Sequence, residues 1–147
     1  MNNTFTRILA CAGLVIAISA ASLGESLAQY AAPKPTITWV LQHEVVSSVP
    51  SKEANMADIN WGVGSTTGRH IHPGDEYAEI IEGELQLNVD GQPPKTVKAG
   101  ESYHNLAGIV HETKNVSGKP ARSIAVFITD KGKSVTEPVK SAHRQKH

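Results

Sequence analysis

Cysteine is almost absent from this chain: the one copy, Cys11, sits in an apolar run near the N-terminus. The rest of the sequence therefore forms no disulfide and offers no thiolate to ligate a metal or attack a substrate. Aromatic residues make up only 5% of the chain, too few for a platform that stacks nucleobases. Charge has no excess of either sign, with 14 Lys and Arg against 14 Asp and Glu. Nor do the basic residues cluster, so the footprint of a nucleic-acid binder is missing. No apolar run reaches the ~20 residues that a membrane-spanning helix needs. Past residue 30 no stretch keeps a 3.6-residue period, which argues against helices.

The N-terminus has a pattern of its own. Arg7 precedes the apolar run Ile8 to Ala21, and Ser26-x-Ala28 follows. A positive residue, an apolar stretch and a small-x-small pair describe a secretory signal peptide, here residues 1–28 with cleavage after Ala28. Cys11 is not placed as a lipid acceptor, because the apolar stretch follows it. The expected location is periplasmic or secreted, with no membrane attachment after cleavage. Cleavage removes Arg7 and Glu25, one charge of each sign, so the remaining chain stays balanced.

The length of 147 residues allows one domain. Residues 29–35 read as a linker, 36–130 as the domain and 131–147 as a C-terminal tail whose last residues, from Val139, are frayed. Ile37, Trp39 and Leu41 alternate with polar or smaller neighbours, as do Ile59, Trp61 and Val63, and Leu85, Leu87 and Val89. Such alternation marks strands and makes Trp39 and Trp61 core residues. Asp90-Gly91 signals a hairpin that resumes at Lys95 to Lys98. Ile124 to Ile128 is a continuous apolar run, expected in a strand buried on both faces. The fold class is all-β, a sandwich or barrel of short strands, without internal repeats.

The chemistry concentrates in His70-Ile71-His72-Pro73-Gly74-Asp75-Glu76 and in Gly108-Ile109-Val110-His111. In a strand, residues two apart face the same way, so His70 and His72 project together. Pro73-Gly74 reads as a tight turn with a positive φ at the glycine, folding Glu76 back beside His72. Alternation turns Asp75 and Glu79 to the face opposite Glu76. Two imidazoles and a carboxylate suit a divalent transition metal, and His111 is the natural fourth ligand.

The glycines around these residues complete two longer patterns: Gly64-x5-His70-x-His72-x3-Glu76-x6-Gly83, and Gly100-x5-Leu106-x-Gly108-x2-His111-x3-Asn115. Both resemble the paired signature motifs of the cupin family, over roughly residues 36 to 130. Leu106 departs from the proline usual there, at a position that shapes a turn and ligates nothing. The resemblance implies a jelly-roll (double-stranded β-helix) barrel. It also implies a homodimer that covers exposed sheet edges, and a metal held by His70, His72, Glu76 and His111. One divalent ion per chain is expected, with iron, manganese, nickel, copper and zinc all open.

Other residues are candidates of lower rank. His104 and Tyr103 lie on the strand leading into the second motif with opposite facing, and either is a nominee for catalytic acid/base. Asn115 is in phase with Thr113 and His111 and reads as a structural hydrogen bonder. His43 reads as a surface or edge residue. The family resemblance implies a metal-dependent oxygenase of the quercetinase type acting on a small molecule, or more distantly a decarboxylase or isomerase. A non-catalytic protein that binds a small molecule or metal chelate is the alternative, since a fold does not fix a function.

Overall fold

A computed structural model describes residues 32–139. The expected signal peptide (1–28), the start of the segment read as a linker and the end of the tail lie outside the described residues. Ten strands follow one another: β1 Thr36–Val45, β2 Lys52–Trp61, β3 His70–Ile71, β4 Asp75–Glu82, β5 Glu84–Val89, β6 Lys95–Lys98, β7 Ser102–Asn105, β8 His111–Lys114, β9 Ala121–Asp130 and β10 Glu137–Pro138. All pairings are antiparallel, in two five-stranded sheets ordered β1-β2-β9-β4-β7 and β10-β3-β8-β5-β6. This is an all-β jelly-roll barrel. No helix among the described residues is long and apolar enough to cross a membrane.

The period of two holds best in β2, β4 and β9. Ala57, Ile59 and Trp61 of β2 turn inward, with Ala78 and Ile80 of β4 and Leu85 and Leu87 of β5, to make one apolar end of the interior. Their burial drives closure of the barrel, at about 25 cal/mol per Å2 of apolar surface removed from water. Beyond that end the interior turns polar: His70, His72, Glu76, Asn105, His111 and Thr113 are all buried.

Three strand-level expectations need correction. β9 is buried on one face only. Ser123, Ala125, Phe127 and Thr129 point inward, while Ile124, Val126 and Ile128 are half-buried on the outer face. The polar Ser123 is tolerated inside because its Oγ accepts a 2.9 Å hydrogen bond from Trp61 Nε1. Trp39 is not core. β1 is an edge strand exposed along its whole length, and Trp39 stands 37% exposed against the edge of Phe127. The pairing of β1 with β2 is broken by register shifts, near which His43 takes a φ of 55° and sets its Nδ1 3.0 Å from Glu53.

Pro73-Gly74 is not a hairpin turn. β3 and β4 belong to different sheets, so the chain crosses the barrel here instead of folding back. Gly74 does not take a positive φ. Glycine is needed for a different reason: a Cβ at this position would lie 1.9 Å from the carbonyl oxygen of Ile128.

Candidate metal centre

The histidines meet because two strands pair. His70 on β3 is the direct cross-strand partner of His111 on β8, and their ring centroids are 4.3 Å apart. His72, two residues on, faces the same way, 4.9 Å from His111 by centroid. The candidate ligand atoms of all three lie within 4.8 Å of one another.

Each ring is fixed from behind by a backbone carbonyl. His70 Nδ1 lies 2.8 Å from Gly68 O, His111 Nδ1 2.9 Å from Ile109 O, and His72 Nδ1 2.7 Å from Val135 O. A carbonyl only accepts, so every Nδ1 carries the proton and every Nε2 keeps its lone pair for the interior. The Nε2 atoms of His70 and His72 stand 3.2 Å apart, and His111 Nε2 is buried without a hydrogen-bond partner. Lone pairs so close repel unless a cation lies between them. Backbone-anchored imidazoles aimed at one point are what a metal-binding histidine set requires.

Glu76 supplies the fourth side. Its Oε2 is 3.4 Å from His72 Nε2 and 3.5 Å from His111 Nε2. Asn105 Nδ2 donates to the same oxygen at 2.6 Å, and Tyr103 Oη makes a long 3.5 Å contact with Oε1. Burial alone would push the Glu76 carboxyl up, but the neighbouring His111 and His72 and the hydrogen bond from Asn105 hold it well below the usual carboxylate range. Burial, opposed by the Gly68 carbonyl, brings His70 down to about 4, so it is neutral and able to ligate at pH 7. Burial, and then the negative charge of Glu76, push the Tyr103 phenol well up, so it stays a protonated donor. Three neutral nitrogens and one carboxylate oxygen fit a divalent transition ion and leave coordination positions open.

The nominees of the strand before the second motif separate. Tyr103 is buried beside Glu76. His104 points out of the barrel, its Nε2 3.1 Å from Asp75 and its ring stacked on Tyr77 at 4.3 Å. No acid/base role at the histidine cluster is open to it from there. Asp75 and Glu79 also face away from Glu76, as alternation requires. Asn115 is structural: its Nδ2 donates to the carbonyls of Trp61, Gly62 and Lys119, tying the end of β8 to the loops.

A cavity of about 250 Å3 opens onto the cluster between Ile37, Ile59, Trp61 and Phe127. Sequence reasoning missed several residues here. Asn105 had a signal, since it shares the phase of Tyr103. The carbonyl of Val135 had none, because a backbone atom in a segment read as a tail leaves no mark in composition. That segment instead forms β10 against β3 and brings Thr136 to the cavity wall. Lys34, read as linker, stands at the mouth.

Known proteins resemble this chain in sequence and in fold. Residues 58–127 match the family described as Cupin domain. The chain is 36% identical over 77 residues to the HTH-type transcriptional regulator PuuR of Escherichia coli, an alignment covering 52% of this chain and 41% of that protein. It thus spans about two-fifths of the curated relative's length. Among solved structures, a cupin-like protein from Thermotoga maritima superposes with a TM-score of 0.61 at 18% identity, over 76% of this chain and 80% of that one. Recombinant oxalate oxidase in complex with glycolate superposes with a TM-score of 0.57 at 20% identity, over 75% of this chain and 57% of that one. These structural likenesses concern the fold.

Proposed function

Because this chain is a cupin, we propose that its barrel is an exported, metal-dependent, oxygenase-like enzyme that acts on a small organic molecule. The observation that carries the reading is the convergence of three unprotonated Nε2 atoms and the Glu76 carboxylate at one end of a largely apolar cavity. A divalent ion held there would supply positive charge to a substrate's oxygen donors and, if redox-active, electrons for dioxygen. The protein's own residues do the rest. His70, His72 and His111 are held by backbone carbonyls and need no reorganisation on binding. Glu76 lowers the net charge of the ion, and Asn105 fixes the carboxylate's orientation. Tyr103 stays protonated and offers a hydrogen bond beside Glu76. Trp61, Ile59 and Phe127 exclude water and shape the chamber around a carbon skeleton.

Metal analysis of the purified protein tests this, followed by loading with iron, manganese, nickel, copper or zinc and by oxygen-uptake screening against phenolic and small keto-acid compounds. The expected result is one ion per chain and uptake that His72→Ala lacks. A protein that takes up none of the five metals would overturn the reading. A second reading is favoured by the match to PuuR, a regulator: the barrel binds a small molecule without turning it over. Metal-dependent binding with no turnover of any bound compound would select it.

Export is tested by N-terminal sequencing of the protein recovered outside the cytoplasm, which should begin near Gln29. Pairing into a homodimer is supported by β1, an edge strand with Val40 at 55% and Leu41 at 45% exposure. Light scattering at micromolar concentration checks it, and a monomer mass would refute it.

A further inference from the structure

The mouth of the cavity carries a charge that the metal centre does not need. Lys34 lines the opening, although it lies in the segment before β1. That segment is docked: Thr66 N donates to Pro33 O at 2.8 Å. The Lys34 ammonium donates to the carbonyl of Thr67 at 2.5 Å. It also lies close to Gly68, where a Cβ would come within 3.0 Å of Nζ. The Gly68 carbonyl in turn holds His70 Nδ1. So a fixed ammonium stands one residue's width from the backbone that orients a metal-facing imidazole. An ammonium has three donors, and the Thr67 carbonyl uses one.

The lining contains one ammonium, Lys34, and one carboxylate, Glu76; its remaining polar groups are neutral hydroxyls and imidazoles. With a divalent ion bound, the chamber is doubly positive. The rest of the lining is apolar side chains, four hydroxyls (Thr67, Tyr103, Thr113 and Thr136) and the Trp61 indole. That indole is already committed to Ser123. Lys34 is exposed and stays hydrated, so its contribution is selective: a second carboxylate reaching it gains a charge-assisted hydrogen bond that a neutral or cationic group cannot make.

We propose that Lys34 is a specificity-determining residue, and that the cavity selects a small dianionic carboxylic acid with one oxygen-donor end at the metal and a carboxylate paired with Lys34. The inference rests on the metal-centre reading above and adds the substrate's charge and its direction in the cavity. The volume of about 250 Å3 accommodates a small diacid.

The probes are succinate and butyrate, which share a four-carbon chain and differ by the second carboxylate. Binding of each to the metal-loaded full-length protein is measured by calorimetry, with metal content determined on the same samples. The wild-type chain should bind succinate roughly tenfold more tightly than butyrate, the worth of one charge-assisted contact. Lys34→Gln should bring the two probes level while leaving butyrate affinity, metal content and melting temperature unchanged. Lys34→Arg should restore the preference. Added salt should erode the wild-type preference and leave the Gln variant indifferent. A fully metal-loaded wild type with no preference, or one that binds neither probe, overturns the proposal and spares the metal centre. So does a preference that survives in Lys34→Gln. A chain that takes up no metal overturns both.

Discussion

Strands β4 and β7, with His72 just before β4, carry nearly the same chemistry on both faces. Inside, Glu76 sits beside His72 and below Tyr103, with Asn105 on its Oε2 at 2.6 Å. Outside, Asp75 pairs with His104 at 3.1 Å and His104 stacks on Tyr77. Each face has a carboxylate, an imidazole and a phenol. The difference is water. The outer pair has side chains 39% and 41% exposed, whereas those of His72 and Glu76 are 4% and 6% exposed. In solvent a charged pair is screened and contributes little. In the interior an unpaired carboxylate among nitrogen lone pairs is costly until a cation satisfies all of them. Burial, more than residue type, turns this set of groups into a site.

The largest break in the comparison is His72→Ala. It removes one of three converging nitrogens and should lower metal affinity by more than roughly 100-fold. The strands' apolar packing does not depend on the ion, so far-UV circular dichroism should change little. Loss of the fold along with the metal would show that the interior is organised by the ion.

Asn105→Ala comes next. It leaves the carboxylate one donor short and free to rotate. Metal affinity should fall about 10- to 100-fold, the usual cost of losing an outer partner of a ligand. The metal-free protein should lose about 1–3 kcal/mol of stability by denaturant titration. Unchanged metal affinity would mean that the histidines alone orient Glu76.

Lowering the pH sharpens the same contrast. An unfolded histidine takes up a proton near pH 6.5, whereas folded His70 resists protonation until about 4. Between these values the unfolded chain binds more protons, so stability is intact above about 6.5 and is lost as pH falls toward 4. Protons also compete with the metal for the histidines, so the metal-dependent increment in melting temperature should shrink over the same range. An increment that stays flat down to pH 4.5 would show that the histidines are not the ligands.

The smallest effect belongs to the outer face. Asp75→Ala and His104→Ala should each change stability by no more than about 0.5 kcal/mol and leave metal content unaltered. If Asp75→Ala strips the metal and Glu76→Ala retains it, the assignment of faces is inverted.

Much of this arrangement is legible in the chain itself. The two-residue spacing of His70 and His72, the even offset to Glu76 and the glycine-framed second motif locate the candidate ligand set, because a strand's period of two converts spacing into facing. The barrel class follows from short alternating runs without helical period. What fails is each inference that needs a neighbour. Pro73-Gly74 has the local chemistry of a hairpin turn, while the crossing between sheets is set by which strands pair. Gly74 is there because Ile128 passes above it, and Ile128 is 54 residues away in the chain. Apolar residues fill both phases of β9, and only packing distinguishes the phase that faces inward.

The sequence by itself determined relations: that His70 and His72 share a face, that Tyr103 and His104 oppose each other, and that Asp75 and Glu76 do too. A period of two carries no absolute sign, so it leaves open which of two opposed residues is inside. Tertiary structure decided that sign by covering one face of each strand with the opposite sheet. It also recruited Lys34, Val135 and Thr136 from the two ends of the described chain to the cavity. Contacts of that kind join residues far apart in sequence, and neither spacing nor composition records them.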